Sequence, residues 1–171
     1  MEIRRENYGA AVAQSLAAAL EAELLGRYDG APGSGPEPAA SVFEPPDGVF
    51  LVVWEGEEPV AGGGVCRYDE MTAELRRMYV RPDARGRGLS RALLGALEEE
   101  ARGLGYGFLR LETGDRQPEA IGLYVSSGYQ PIPRFGPFAD DERSVCLEKR
   151  LGAPNGARSP GAVRGRRGPC P

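Results

Sequence analysis

Hydrophobic positions recur at helical spacing in three stretches of the chain. In "AAVAQSLAAALEAELLGRY" an apolar side chain returns every fourth residue, which predicts a helix that ends near Gly26. In "GLSRALLGALEEEARGLG" the leucines form one apolar stripe, with Glu98 to Glu100 largely outside it, and Gly105 is a suitable terminator. The segment "PEAIGLYVSSG", with Pro118 in its first turn, predicts a third and shorter helix.

Short apolar runs between turn residues predict the strands. "VFLVVWE" and "PVAGGGVCRYD" flank the turn "GEE" and predict an antiparallel hairpin. Further strands are predicted in "MEIRREN", "TAELRRMYV", "YGFLRLETG", "YQPI" and "SVCLEKRL". Strand, helix and strand between Ala73 and Gly114 predict one right-handed parallel crossover. The predicted fold is therefore α/β, a mixed, mostly antiparallel central sheet with helices on both faces, in one domain over residues 1–151.

Glycine and proline concentrate in two segments that lack periodicity. Residues 26–48 predict a long loop with a short helical turn near Ala39, and a loop of this length inside a compact domain is usually functional or mobile. Residues 152–171 are rich in glycine, proline and arginine and nearly devoid of core-forming residues. We expect this second segment to be a disordered tail.

The composition excludes several kinds of chemistry and of partner. The chain has no histidine, which removes Ser-His and Cys-His nucleophile systems and the usual zinc ligands, and we expect no metal. The net charge is −4 although four arginines lie in residues 152–171, so the remaining body is more acidic and should repel nucleic acid and anionic membranes.

Three widely spaced cysteines without CxxC, and no signal peptide, predict a reduced, cytoplasmic protein. The apolar runs fall short of the roughly 20 residues that cross a bilayer.

The segment "RPDARGRGLSRALL" is the strongest sequence signal for a binding site. A strand ends there and a helix begins, and the unpaired N–H groups of a first helical turn favour phosphate. Gly86 and Gly88 allow close approach of the backbone, and Arg85 and Arg87 add forked donors. Neither a Walker loop nor a GxGxxG fingerprint is present, and a pyrophosphate is the ligand that fits best. The alternative is an ordinary helix start without a ligand, in which the glycines make the backbone flexible and the arginines extend into solvent.

Three segments in order, "MYVRPDARGRGLSRALLGALEEEA", "LRLETG" and "PEAIGLYVSSGYQPI", resemble the GNAT superfamily of N-acetyltransferases. The resemblance covers roughly Ala73 to Ile132, with compatible elements from Met1 to Leu151, and makes residues 1–151 a GNAT domain. It puts Arg85 first in the family's loop motif and a serine, Ser90, where glycine or alanine is commoner.

The resemblance implies acetyl-CoA as co-substrate. Its pyrophosphate would lie on the backbone from Arg85 to Ser90, that is Arg85, Gly86, Arg87, Gly88, Leu89 and Ser90. Its pantetheine would lie along Met78, Tyr79 and Val80 like an added strand, where the family has a bulge that opens the sheet into a V. Gln117 stands where many relatives carry a cofactor-binding asparagine.

The resemblance also implies the catalytic residues. Tyr124 matches the tyrosine that many members place beside the cofactor sulfur, where a phenol can protonate the leaving thiolate, and a backbone N–H near Tyr79 would be the oxyanion donor. The alternative for Tyr124 is an amphipathic core tyrosine. Glu74 occupies the position of a general base in several members, and its alternative is a strand-end carboxylate paired with Arg76 or Arg110. Glu112 is the reserve base.

Two irregular segments are predicted to form the binding site of the acceptor. Residues 26–48 and "PIPRFGPFADDERS" should flank the open side of the V, with Phe135 and Phe138 as an apolar wall and Asp140 or Asp141 holding an ammonium group. The alternative is a solvated hairpin turn. The sequence thus predicts an acetyl-CoA-dependent N-acetyltransferase acting on a primary amine of a small molecule. A CoA-binding regulatory module, a protein lysine or N-terminal acetyltransferase, and homodimerisation stay open.

Overall fold

A seven-stranded sheet forms the centre of the molecule. The computed structural model describes residues 1–31, 33 and 35–152, and the predicted tail from residue 153 onward lies outside the described residues. The strands are β1 (Glu2–Glu6), β2 (Val49–Glu55), β3 (Glu58–Arg67), β4 (Thr72–Val80), β5 (Phe108–Gly114), β6 (Gln130–Pro131) and β7 (Ser144–Arg150). The helices are α1 (Ala11–Arg27), α2 (Leu89–Gly103) and α3 (Pro118–Ser126), with short 3-10 helices at Ala40–Phe43, Pro82–Ala84 and Gly136–Phe138.

The strand order confirms the predicted fold class. The order is β1-β2-β3-β4-β5-β7-β6, and every neighbouring pair is antiparallel except β4 and β5. The two parallel strands are joined by α2, the crossover that the sequence predicts. The short helical turn expected near Ala39 is the 3-10 helix Ala40–Phe43. Among the described residues, no helix is long and apolar enough to cross a bilayer.

Both faces of the sheet are covered, because side chains along a strand alternate between them. In β2, Leu51 and Val53 belong to the core under α2, whereas Phe50 and Val52 belong to the core under α1. The leucines of α2 that the sequence places on the stripe at Leu93 and Leu97 are fully buried in the first core. The prediction of helices on both faces is therefore confirmed.

One prediction about α2 is wrong. Glu98 lies inside the protein, with 7% of its surface exposed, rather than outside the apolar stripe. Its carboxylate accepts hydrogen bonds from Tyr129 Oη at 3.1 Å and from Lys149 Nζ at 2.8 and 2.9 Å. Because these partners come from segments distant in sequence, the helical pattern of α2 gives no sign of them.

A β-bulge interrupts the pairing of β4 with β3. Arg77 and Met78 both lie opposite Gly63, so β4 carries one residue more than its partner over this stretch. Arg77 adopts a left-handed backbone with φ of 58°, an uncommon conformation for a residue other than glycine. The bulge therefore bends β4 near its middle.

Beyond the bulge, β4 and β5 separate. Their parallel pairing runs only from Thr72 opposite Phe108 to Leu75 opposite Leu111, although β4 continues to Val80 and β5 to Gly114. The sheet therefore opens into the V that the family resemblance implies. On the β4 side the opening is bordered by Arg76, Arg77 and Met78.

We predict that Gly48→Ala destabilises the protein. A Cβ atom at this position would lie 2.1 Å from Val42 O and 2.7 Å from Val65 O, and backbone cannot yield as a flexible side chain can. We expect a loss of about 1–3 kcal/mol of the free energy of unfolding in urea titrations. Gly95→Ala is the matched control, because Gly95 is exposed on α2 with open space around it and should gain about 0.5–1 kcal/mol. Equal stabilities of the two variants would contradict the packing that we describe at Gly48.

Candidate active site

Two cavities meet where β4 and β5 separate. One, of about 240 Å³, lies between β4, the loop before α2 and helices α1 and α3, and we call it the cradle groove. The other, of about 210 Å³, lies where β4 and β5 separate, against α1 and the segment before β7, and we call it the sheet cavity. The residues shared by both linings are Leu20, Met78, Gln117, Ala120 and Tyr124. A molecule that occupied both cavities would pass alongside Met78 and Tyr124, whose side chains contact each other there.

The cradle groove contains nearly all of the predicted cofactor-binding residues. Its lining includes Met78, Tyr79, Val80, Arg85, Gly86, Gly88, Leu89, Ser90 and Gln117. Gly86 and Gly88 have φ of 74° and 80°, values that glycine adopts without strain. Because α2 begins at Leu89, the N–H groups of its first turn face this end of the groove.

The two arginines of the loop have different positions. Arg85 lies against the groove, donates from Nε to Val80 O at 2.9 Å, and pairs with Glu23 of α1 at 2.5 Å. Arg87 forms an ion pair with Glu55 of β2 and lies outside the lining of the groove. The predicted role of Arg87 in cofactor binding therefore stays a prediction without a contact that favours it.

Tyr124 stands at the junction of the two cavities. Its hydroxyl donates to Met78 Sδ at 3.6 Å, and only 7% of the residue is exposed. Burial, with a smaller contribution from the charge of Glu112, raises the pKa of Tyr124 above its usual value. The phenol therefore keeps its proton throughout the neutral range and can act as a donor at the junction.

Two carboxylates from adjacent strands line the sheet cavity. Glu74 is 5% exposed, and burial, helped by the nearby charge of Glu112, raises its pKa to about 7, against the opposing effect of Arg76. Arg76 Nε lies 3.9 Å from Glu74 Oε1, whereas Arg110 pairs instead with Glu148. Glu74 can thus exchange a proton near neutral pH.

Glu112 is the second of these carboxylates. Burial raises its pKa, although a hydrogen bond from Ser144 Oγ at 2.7 Å acts in the opposite direction. Glu112 lies one register step further along β5 than Leu111, the last residue paired with β4. The two predicted base candidates therefore share one cavity.

The segment before β7 contributes part of the wall of the sheet cavity. Phe138 and Asp141 line it, and Asp141 forms a two-point ion pair with Arg143, which lines it as well. Phe135 lies outside the lining and packs against Tyr68, with Arg110 over its ring at 4.9 Å. Asp140 also lies outside, so the structure brings one member of each predicted pair to the cavity.

The long loop after α1 lies along the same cavity. Tyr28 packs so closely on Gly114 that a Cβ there would be 1.8 Å from its hydroxyl, which accepts a hydrogen bond from Arg116 N. Further along, Arg76 donates to Pro36 O at 2.8 Å, and Gly35 packs against Phe138. The loop is therefore held beside the cavity near its start, at Tyr28, and near its middle, at Gly35 and Pro36.

Sequence reasoning missed several residues of the site. These are Leu20, Glu23, Leu24, Tyr28, Arg76 and Arg143, most of them from α1 and the loop that follows it. The leucine spacing of α1 shows that the helix has a buried face, but it gives no indication that part of this face borders a cavity. Tyr28 and Arg143 lie in the two segments, residues 26–48 and "PIPRFGPFADDERS", that the sequence predicted to flank the opening, although neither residue was singled out.

The chain belongs to the GNAT family of acetyltransferases, whose family model matches residues 19–129. This match includes the second half of α1, the opened part of the sheet, the cradle groove and Tyr124. The chain is therefore an acetyltransferase of this family, as its three sequence segments indicated.

Individual relatives agree with the assignment. The chain is 39% identical over 107 residues to an IAA acetyltransferase of Azospirillum brasilense, which covers 62% of this chain and 70% of the relative. A crystal structure of a Klebsiella pneumoniae protein assigned to the acyl-CoA N-acyltransferases has a TM-score of 0.75 and 32% identity, over 88% of this chain and 97% of that one. A GNAT acetyltransferase of Elizabethkingia anophelis with acetyl-CoA bound shares the fold at a TM-score of 0.63 and 16% identity, over 87% and 97% of the two chains.

We predict that Glu74 titrates near pH 7 in the folded protein. Its burial disfavours the charged form, and the charge of Glu112 adds to this effect. Carbon NMR of the labelled glutamate carboxyl carbons should show one resonance with a midpoint near 7 that is lost in Glu74→Gln. In Glu112→Gln the midpoint should move to lower pH. A Glu74 midpoint close to 4.5 would show that water reaches the carboxylate.

Proposed function

We propose that this protein transfers an acetyl group from acetyl-CoA directly to a primary amine of a small molecule. The observation that carries the proposal is the meeting of the two cavities at Met78 and Tyr124, which line both, with Glu74 in the sheet cavity and the glycine-rich loop in the cradle groove. A donor entering from the loop side and an acceptor entering the sheet cavity would meet beside the Tyr124 hydroxyl. A direct transfer needs this geometry and no covalent enzyme intermediate.

The residues present fit acetyl-CoA as the donor. Met78 to Val80 line the groove beyond the last β4–β5 pair, where an extended amide-containing arm would lie along β4 like an added strand. The loop from Arg85 to Ser90 and the first turn of α2 would hold the pyrophosphate, and Gln117 would contact the arm. Acetyl-CoA would supply an acetyl thioester, which is activated toward attack by an amine.

Glu74 is the proposed general base. An amine acceptor is mostly protonated at neutral pH and must lose a proton before it can attack. A carboxylate with a pKa of about 7 is present in its basic form near neutrality and is a far better proton acceptor than an ordinary glutamate. Glu112, on the next strand, remains the reserve for this role.

Tyr124 is the proposed general acid. The phenol is protonated at neutral pH, and the place of its hydroxyl beside Met78 at the junction suits donation to a departing thiolate. A backbone N–H near Tyr79 is the proposed oxyanion donor.

A small acceptor is favoured over a protein by the size of the sheet cavity and by the segment that lies along it. The cavity measures about 210 Å³, and Tyr28 together with the segment near Gly35 lies along it. A polypeptide would have to displace this segment from its contacts with Gly114 and Phe138. A cytoplasmic location is part of the proposal, supported by Cys66 and Cys146, which are both buried and are not joined in a disulfide.

We expect amine-dependent release of thiol from acetyl-CoA, measured across polyamines, amino acids, aminoglycosides and basic peptides. Tyr124→Phe should lower kcat about 100-fold, because the thiolate loses its proton donor, while the Kd for CoA stays unchanged. Tight CoA binding without release on any amine would favour the regulatory module. Release on peptides alone would favour a protein acetyltransferase.

We also expect the pH dependence of kcat/KM to identify the base. The value should rise with pH and level off above about 7, as Glu74 loses its proton. Glu74→Gln should be slow at all pH values and lack this limb, whereas Glu112→Gln should keep the limb and shift it to lower pH, since the Glu112 charge raises the pKa of Glu74. Loss of the limb in Glu112→Gln alone would transfer the role to Glu112.

A further inference from the structure

The guanidinium of Arg85 already has an anionic partner. Arg85 is the loop arginine that lies against the cradle groove, and its Nη2 is 2.5 Å from Glu23 Oε2, a residue 62 positions earlier in the chain. Glu23 lines the same groove, and 24% of its side chain is exposed. Before any phosphate enters, a carboxylate therefore contacts the guanidinium most suited to hold it.

A chain of ion pairs continues from Glu23 across the groove. Arg27 pairs with Glu23 at 2.8 Å and also with Glu119 in the first turn of α3. Glu23, Arg85 and Glu119 all line the groove, so the sequence of partners Arg85, Glu23, Arg27 and Glu119 connects the glycine-rich loop to α1 and then to α3. This row of ion pairs therefore joins the loop side of the groove to its α3 side.

Two carboxylates in the lining are unexpected in a groove that would accept a polyanion. Glu119 is compensated by Arg27 and has no contact with Arg85 among the described ion pairs. Glu23 differs because its partner is Arg85, the arginine that a bound phosphate would contact. Substituting each carboxylate in turn therefore distinguishes competition between Glu23 and phosphate for Arg85 from a general repulsion of phosphate by negative charge.

We propose that Glu23 sets the affinity for the acyl donor by competing with its phosphate for Arg85. In the free protein Glu23 neutralises Arg85, and on binding the phosphate oxygens take over the guanidinium while Glu23 keeps Arg27 as its partner. The inference rests on the proposed function, because it requires the phosphates of CoA to bind at the loop.

The competition makes the observed affinity a difference between two ion pairs. Binding gains the contact of phosphate with Arg85 and loses the contact of Glu23 with Arg85. The pair is partly exposed, so its loss is worth little, and removing the competitor should tighten binding by about two- to five-fold. Since the phosphate contact is then no longer offset, the affinity should also fall more steeply with added salt.

Calorimetric titration of CoA into the intact protein tests the proposal. Glu23→Gln should lower the Kd by about two- to five-fold. Glu23→Asp keeps the charge but shortens the arm, and it should also bind more tightly than the wild type. Thermal melting of each variant checks that it folds, and the aspartate variant serves if the glutamine variant does not.

Matched variants separate competition from repulsion. Glu119→Gln removes one negative charge from the same groove without releasing Arg85, and its gain should be smaller than that of Glu23→Gln. In an Arg85→Ala background, Glu23→Gln should bring no gain beyond that of Glu119→Gln, because the contested guanidinium is absent.

Four results would overturn the proposal. These are a Kd that is unchanged or raised in Glu23→Gln, an equal gain in Glu119→Gln, a gain that persists without Arg85, and no binding of CoA by the wild type. The last result would overturn the donor assignment as well, whereas the first three leave that assignment intact.

Discussion

Strand β4 has one residue more than β3 between the pairs Arg76–Gly64 and Tyr79–Gly62. The extra residue is accommodated by a bulge, in which Arg77 takes a left-handed backbone conformation. The other properties of the site depend on this bulge. It bends β4 away from β5 after Leu75, and both cavities lie in or beside the opening that results. It also leaves part of β4 without a strand partner on that side, where polar backbone groups need another partner or water.

The opening explains why carboxylates can be both buried and chemically useful. Glu74 and Glu112 lie on neighbouring strands at the point where pairing ends, so they face a cavity rather than a packed core. Burial raises the pKa of each, while Arg76 acts in the opposite direction on both. An unopened sheet would place the same carboxylates against side chains, where an ionised form costs far more.

Helix α1 is attached to the site by two kinds of interaction. Its apolar face packs on the sheet through Ala13, Leu16 and Ala17, which belong to the core beneath it. Its polar residues instead contact the site by ion pairs, with Glu21 bound to Arg77 of the bulge and Glu23 to Arg85 of the loop. The apolar contacts fix the helix, while the partly exposed ion pairs can exchange partners at little cost.

The sequence by itself determined the order and type of the elements, the parallel crossover, the cradle loop and the candidate residues Glu74 and Tyr124. These features depend on local periodicity and on short motifs, which the chain carries within a few residues. Tertiary structure alone decided that Glu98 is buried against Tyr129 and Lys149, that Arg87 turns to Glu55 while Arg85 turns to Glu23, and that Tyr28 packs on Gly114. Each of these contacts joins residues at least 30 positions apart, and such partners are set by how the elements pack rather than by any local pattern.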